Sequence, residues 1–128
     1  VYGISATPGF VESIVVPVGL TAGSEPIDIA TVSVRFVGQK HSGIVSPSLP
    51  LVGVFPEPGF WSVQERVNSD ADLLLEPGEQ FVLNISPKSL VDCRPYGSFA
   101  IEIKPAGRAA LRVERTVPGS IERMNRLD

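Results

Sequence analysis

The sequence contains one histidine and one cysteine, the side chains best suited to acid–base or nucleophilic chemistry. His41 lies in a polar, glycine-bounded loop, where a histidine is typically a solvated turn residue, and it is assigned no role. Cys93 precedes Arg94, and a neighbouring cation can lower the pKa of a thiol, but small buried cysteines are far commoner than reactive ones. Because no nucleophile is paired with a base, the sequence predicts that the protein is not an enzyme and has no catalytic residue.

A cluster of acidic residues surrounds one loop and is the nearest approach to a metal site. Its members are Asp70, Asp72, Glu76 and Glu79. Oxygen-rich loops bind calcium, but the ligand spacing and glycine of an EF-hand loop are missing. We expect solvated turn carboxylates and no metal. No glycine-rich loop opens a helix, so no nucleotide or other cofactor is predicted.

The tripeptide Asn84-Ile85-Ser86 is an acceptor sequence for N-glycosylation in a chain that is exported. In a strand, Leu83 and Ile85 would point into the core, which would turn Asn84 toward solvent. The sequence therefore predicts Asn84 as an exposed glycosylation site.

Aromatic residues Phe55, Phe60 and Trp61 lie in and beside a proline-rich segment. Exposed, they would mark a protein contact or a platform on which sugars stack. The favoured interpretation is that Trp61 plugs the open end of the core.

Composition defines the broad class. The 128 residues are 43% hydrophobic and 20% charged, which is typical of one globular domain spanning residues 1–128. The formal net charge of −3, without a basic cluster, argues against nucleic-acid or anionic-membrane partners. A single cysteine excludes an internal disulfide. The chain begins at Val1 with no signal peptide or membrane-length apolar run, as expected of either a processed chain or a truncated one.

Alternating apolar residues predict several short strands. The predicted strands are residues 12–20, 31–37, 60–67, 80–86, 98–104 and a last one around Leu111 and Val113. In the second of these, Val32, Val34 and Phe36 should face inward. Pro17 predicts a sheet edge or a bulge in the first, because proline has no N–H to donate.

Turns and breaks separate these strands. Glu76-Pro77-Gly78-Glu79 has the residues of a type II turn, and four prolines between residues 44 and 58 predict an irregular segment. The helical apolar period is absent. Together these patterns predict an all-β antiparallel β-sandwich, immunoglobulin-like, of roughly seven to nine strands.

Three segments, in order, resemble the archaellins, also called archaeal flagellins. They are IVVPVGLTAGSEPIDIATVSVRF (residues 14–36), DLLLEPGEQFVLNI (residues 72–85) and FAIEIKPAGRAALRVERTVPGSI (residues 99–121). The last is similar to the family's C-terminal hairpin, with its Arg-Thr-x-Pro ending. The family's N-terminal type IV pilin-like helix is missing here, so the chain resembles the outer globular domain alone.

The resemblance implies a structural subunit of the archaeal motility filament, the archaellum, which is extracellular and carries glycans. It implies partnership with copies of itself in a helical homopolymer, and with other archaellum subunits or the surface-layer protein. No small-molecule substrate is implied. Two alternatives stay open: an accessory pilin-like sandwich that binds the surface layer or caps the filament, and an adhesive module that would need an exposed Trp61.

Overall fold

The computed structural model describes residues 1–5, 11–20, 22–67, 72–90, 92–121 and 123–127. The strands are β1 (Tyr2–Ile4), β2 (Ser13–Gly19), β3 (Ile27–Asp28), β4 (Ser33–Gly38), β5 (Ser42–Val52), β6 (Phe60–Val67), β7 (Leu74–Leu75), β8 (Gln80–Ile85), β9 (Ser98–Lys104), β10 (Leu111–Thr116) and β11 (Met124–Arg126). One 3-10 turn, Ile29–Thr31, follows β3. No helix within the described ranges is long and apolar enough to cross a membrane.

The all-β prediction is confirmed, but seven to nine strands are too few. The structure has eleven strands, and five of them were not predicted by residue range. One is β5, described below; the others are β1, β3, β7 and β11, each of two or three residues. Segments this short do not display a period of two, so the sequence pattern does not reveal them.

Nine strands form one curled sheet in the order β10-β9-β4-β5-β6-β8-β2-β1-β11, and β3 pairs with β7. β5 joins the two halves of the sheet. Its start pairs antiparallel with β4, and its later part pairs parallel with β6. We call β10, β9, β4 and the start of β5 the first layer. The later part of β5 and the remaining strands of the large sheet form the second layer.

The core lies between the two layers. Its largest fully buried side chains include Phe36, from the first layer, and Trp61, Phe81 and Leu83, from the second. The pattern predicted for residues 31–37 is confirmed, since Val32, Val34 and Phe36 are all buried. The rings of Phe36 and Phe99 stack with centroids 5.3 Å apart, a contact worth about 1 kcal/mol beyond the area it buries.

β5 corrects the irregular segment predicted for residues 44–58. It is an eleven-residue strand that contains Pro47 and Pro50. The pairing with β6 shifts register between Pro47 and Val52. This irregularity accommodates two residues that lack an N–H, which a regular ladder would not.

Two local predictions agree with the structure. β1 pairs with β2 only as far as Val15, so beyond that point β8 is the sole partner of β2 in the described sheet, and Pro17 lies at an edge. Gly78 has φ 87°, and the N–H of Glu79 donates to the carbonyl of Glu76 at 3.0 Å. These are the features of the predicted type II turn, which leads into β8.

Candidate functional site

The two residues with nucleophile or base chemistry lie near one end of the sandwich. Cys93 is fully buried, and burial, reinforced by the negative charge of Asp92, raises the pKa of its thiol to about 12. The thiol is therefore protonated at neutral pH and does not act as a nucleophile. His41 is half-buried in the loop between β4 and β5. The arrangement matches the predicted structural thiol.

Asp92, which the sequence analysis did not single out, connects this region. It is 3% exposed, and its carboxylate accepts hydrogen bonds from the backbone N–H groups of Lys40 and His41. A buried carboxylate satisfied by N–H donors fixes loops in place. No local sequence pattern predicts this role, because the partners of Asp92 lie about 50 positions away in the chain and meet it only in the folded domain.

The acidic cluster is brought together in part. Ligand oxygens of Asp72, Glu76 and Glu79 lie within 4.8 Å of one another, whereas Asp70 lies outside the described residues. Two of the carboxylates serve local turns. Asp72 accepts from the N–H of Leu74 at 3.1 Å, and Glu79 accepts from the N–H of Glu76 at 2.8 Å. These contacts are those of turn carboxylates.

Asn84 does not point into solvent as predicted. It is 2% exposed, and Ser86 is buried as well. The Asn84 side chain leaves the sheet on the face opposite Leu83, but the chain from Gly53 to Phe55 and the Gln64 side chain cover it there. Its amide nitrogen donates to Gln64 Oε1 at 3.3 Å. Alternation fixes the face of a residue, not whether another segment covers that face.

Trp61 is fully buried at the start of β6, so the platform of exposed aromatic rings required by an adhesive module is absent at that residue. Of the favoured interpretation, that Trp61 plugs the open end of the core, the structure supports the burial, since Trp61 belongs to the buried core cluster. Its neighbours behave differently, because Phe60 is 38% exposed and Phe55 is 65% exposed.

Phe55 and Phe60 line a depression of about 380 Å³ between the later part of β5 and the start of β6. Leu49, which is 95% exposed, also lines it, and Glu57 is its one charged lining residue. We call this surface the apolar depression. Leu49 is not recognisable from the sequence, because the prolines around it predict no regular structure.

The outer face of the first layer is different in character. Strand pairing places Arg35, Glu102 and Arg112 in one row, and Ile44 beside Arg35. Arg112 is bound to Glu102 at 3.3 Å and to Glu114 at 2.8 Å.

Two basic residues of this face, Arg35 and Lys104, are exposed and make no ion pair with any described residue. Ile44, directly across from Arg35, is 70% exposed. We call the surface formed by Ile44, Arg35 and Lys104 the cationic face.

Comparison with known proteins gives the sequence relationship. No family-wide sequence profile matches the chain. The chain is 27% identical over 132 residues to a protein described as probable flagellin 1 of Aeropyrum pernix. That match covers 91% of this chain and 64% of the relative, so the chain spans less than two thirds of the relative's length.

Solved structures give the fold. An archaeal flagellin from Methanocaldococcus jannaschii superposes with a TM-score of 0.75 at 15% identity, over 98% of this chain and 91% of that one. The archaeal flagellum of Methanospirillum hungatei superposes with a TM-score of 0.60 at 18% identity, over 94% of this chain and 62% of that one.

The fold and these surfaces define an all-β sandwich domain without an identified catalytic centre among its described residues. The resemblance to archaellins carried by the three sequence segments is confirmed: the chain is archaellin-like in sequence over nearly all its length and in fold.

Proposed function

We propose that this chain is the outer globular domain of a structural subunit of an archaeal motility filament. The observation that carries the proposal is the sequence match to the probable flagellin 1 of Aeropyrum pernix, which extends over 91% of the chain. The fold similarity to another archaeal flagellin, over 98% of the chain, supports it independently of individual residues.

The physical character of the domain suits this role. An open filament needs a rigid unit with two different contact surfaces related by a rotation that does not close into a ring. The core between the two layers supplies the rigidity. The apolar depression and the cationic face are two surfaces of different chemistry. A filament subunit needs no nucleophile, which agrees with the protonated, buried Cys93.

The subunit polymerises with copies of itself through an N-terminal helix that precedes this domain in the full-length protein, and the domain forms the outer wall. The filament lies outside the cell. An accessory subunit that binds the surface layer or caps the filament is not favoured, because the matched relative is described as a probable flagellin.

Glycosylation at Asn84 is part of the proposal in a restricted form. Because Asn84 is 2% exposed in the folded domain, the glycan is added before β8 is packed into the sheet. In the folded, glycosylated domain the segment from Gly53 to Phe55 must then be displaced, so that the glycan can extend into solvent.

Electron microscopy of the native surface filament tests the proposal, with the domain fitted into the density and the subunit identified by mass spectrometry. We expect one copy of this fold per asymmetric unit of the wall. A wall built from another chain, with this one confined to the tip or base, contradicts the proposal and supports the accessory alternative.

A further inference from the structure

We propose that the apolar depression of one copy is covered by the cationic face of the next copy in the filament, with Arg35 of the covering copy facing Glu57. This inference rests on the proposed function and adds to it a specific pair of contacting surfaces. The partner is a second copy of this chain, joined head to tail.

Exposure is the first argument. Leu49, Phe55 and Phe60 are 95%, 65% and 38% exposed and line one depression. Single exposed apolar residues are ordinary, but three that line the same concave surface are typical of a protein contact. Covering them removes apolar area from water, which favours association.

Charge is the second argument, and it identifies the partner. The depression has one charged lining residue, Glu57, whose carboxylate makes no ion pair with a described residue. On the cationic face, Arg35 and Lys104 likewise make no ion pair with a described residue. They lie beside the side chain of Ile44, which is 70% exposed. An apolar residue beside a cation matches an apolar surface beside an anion.

The same charges decide how the copies are arranged. If the depression of one copy met the depression of another, Glu57 would face Glu57, and like charges across an interface oppose association. A contact between two different surfaces avoids this repulsion and is the kind that builds an open filament.

Contact size is the third argument. Stable protein–protein interfaces bury about 1,200–2,000 Å² in total, and a contact centred on three side chains is smaller. The contact therefore does not hold two free domains together. It stabilises neighbours that another part of the subunit already holds side by side, and we expect the isolated domain to be a monomer.

Charge reversal tests the contact in cells whose own copy of the gene is altered. We expect Arg35→Glu and Glu57→Lys each to raise the subunit concentration needed for filament assembly roughly tenfold, and the double variant to restore it. Arg123→Glu, an exposed charge outside both surfaces, is the matched control and leaves assembly unchanged. Single variants that assemble like the unaltered protein, or a double variant that assembles worse than either, overturn the inference.

Thiol labelling separates the failure of this inference from failure of the proposed function. Leu49→Cys in purified filaments should react with a water-soluble maleimide at least about tenfold more slowly than in dissociated subunits. Cys93 is fully buried and contributes no background in the folded domain. Equal labelling in a filament whose wall contains this chain overturns the contact and leaves the proposed function standing. Absence of the chain from the wall overturns both, and a stable dimer of the isolated domain overturns the head-to-tail arrangement.

Discussion

The carboxylate of Asp92 accepts a hydrogen bond from the backbone N–H of His41 at 2.9 Å, across 51 positions of sequence. It also accepts from the N–H of Lys40, at 3.0 and 3.1 Å to its two oxygens. The loop between β4 and β5 is thereby attached to the segment that precedes β9. Asp92 is only 3% exposed. In a variant without its carboxylate, water therefore does not readily take its place as the acceptor of these hydrogen bonds.

Asp92→Ala should lower the free energy of unfolding by about 2–3 kcal/mol, because it leaves two backbone donors without their charged acceptor. Urea denaturation followed by Trp61 fluorescence measures the change. Glu57→Ala is the matched control, since that carboxylate is exposed and makes no ion pair with a described residue, and it should change stability by less than about 0.5 kcal/mol. Equal stability of the two variants would show that Asp92 does not hold the loop.

The position of Gly38 is predicted to tolerate no residue larger than glycine. A Cβ at this position would overlap the Asp92 carboxylate and lie 2.7 Å from the carbonyl oxygen of His41. Gly38→Ala should therefore destabilise the domain by about 1–3 kcal/mol through displacement of the loop. At Gly43 the nearest atom to a Cβ is His41 Nε2, at 3.8 Å, so Gly43→Ala is the control and should be tolerated. Thermal unfolding of both variants measures the difference, and a Gly38→Ala melting temperature equal to that of Gly43→Ala would contradict the prediction.

The sequence predicts this fold well where burial alternates along a strand and poorly where distant segments decide burial. Val34 and Phe36 face the core as period two indicates. Asn84 is on the predicted face of its strand but is covered by residues 53–55, some thirty positions earlier. The prolines of β5 disfavour the prediction of a strand, because strand propensity takes no account of a register shift that accommodates them. The apolar depression lies in that same segment. The sequence pattern therefore does not predict that Leu49, Phe55 and Phe60 line one surface.

Adjacent positions of β4 should respond oppositely to the same charge. Val34 is fully buried and Arg35 is exposed. Val34→Asp places an unpaired carboxylate in the core and should cost more than about 5 kcal/mol, which is comparable to the whole stability of a small domain. Arg35→Asp should leave folding intact. Circular dichroism and the dispersion of amide NMR signals distinguish the two, and similar spectra for both variants would refute the register of this strand.

The thiol of Cys93 should make stability depend on alkaline pH. Its pKa rises from 9.0 to about 12 in the folded domain, mainly through burial and also through Asp92. Between these values the unfolded chain has lost the proton while the folded chain keeps it. Stability from this group is thus fully present below pH 9, and above it falls by roughly 1.4 kcal/mol per pH unit.

Cys93→Ala isolates this effect, since other groups that titrate at high pH are common to both proteins. The free energy of unfolding of the unaltered domain should fall more steeply than that of the variant as the pH rises above 9. Parallel curves would mean that the thiol titrates in the folded domain as it does in the unfolded chain.

Asn84 should accept a glycan only in the unfolded chain. Its amide nitrogen donates to Gln64 Oε1 and is covered by the segment at residues 53–55, so a glycosyltransferase has no access to it in the folded domain. With the transferase and lipid-linked donor of an archaeal membrane preparation, a peptide containing Asn84-Ile85-Ser86 should be modified and the folded domain should not. The peptide carrying Asn84→Gln is the negative control, and peptide mass spectrometry measures the product. Modification of the folded domain at the peptide's rate would show that β8 opens readily and that its cover is not a barrier.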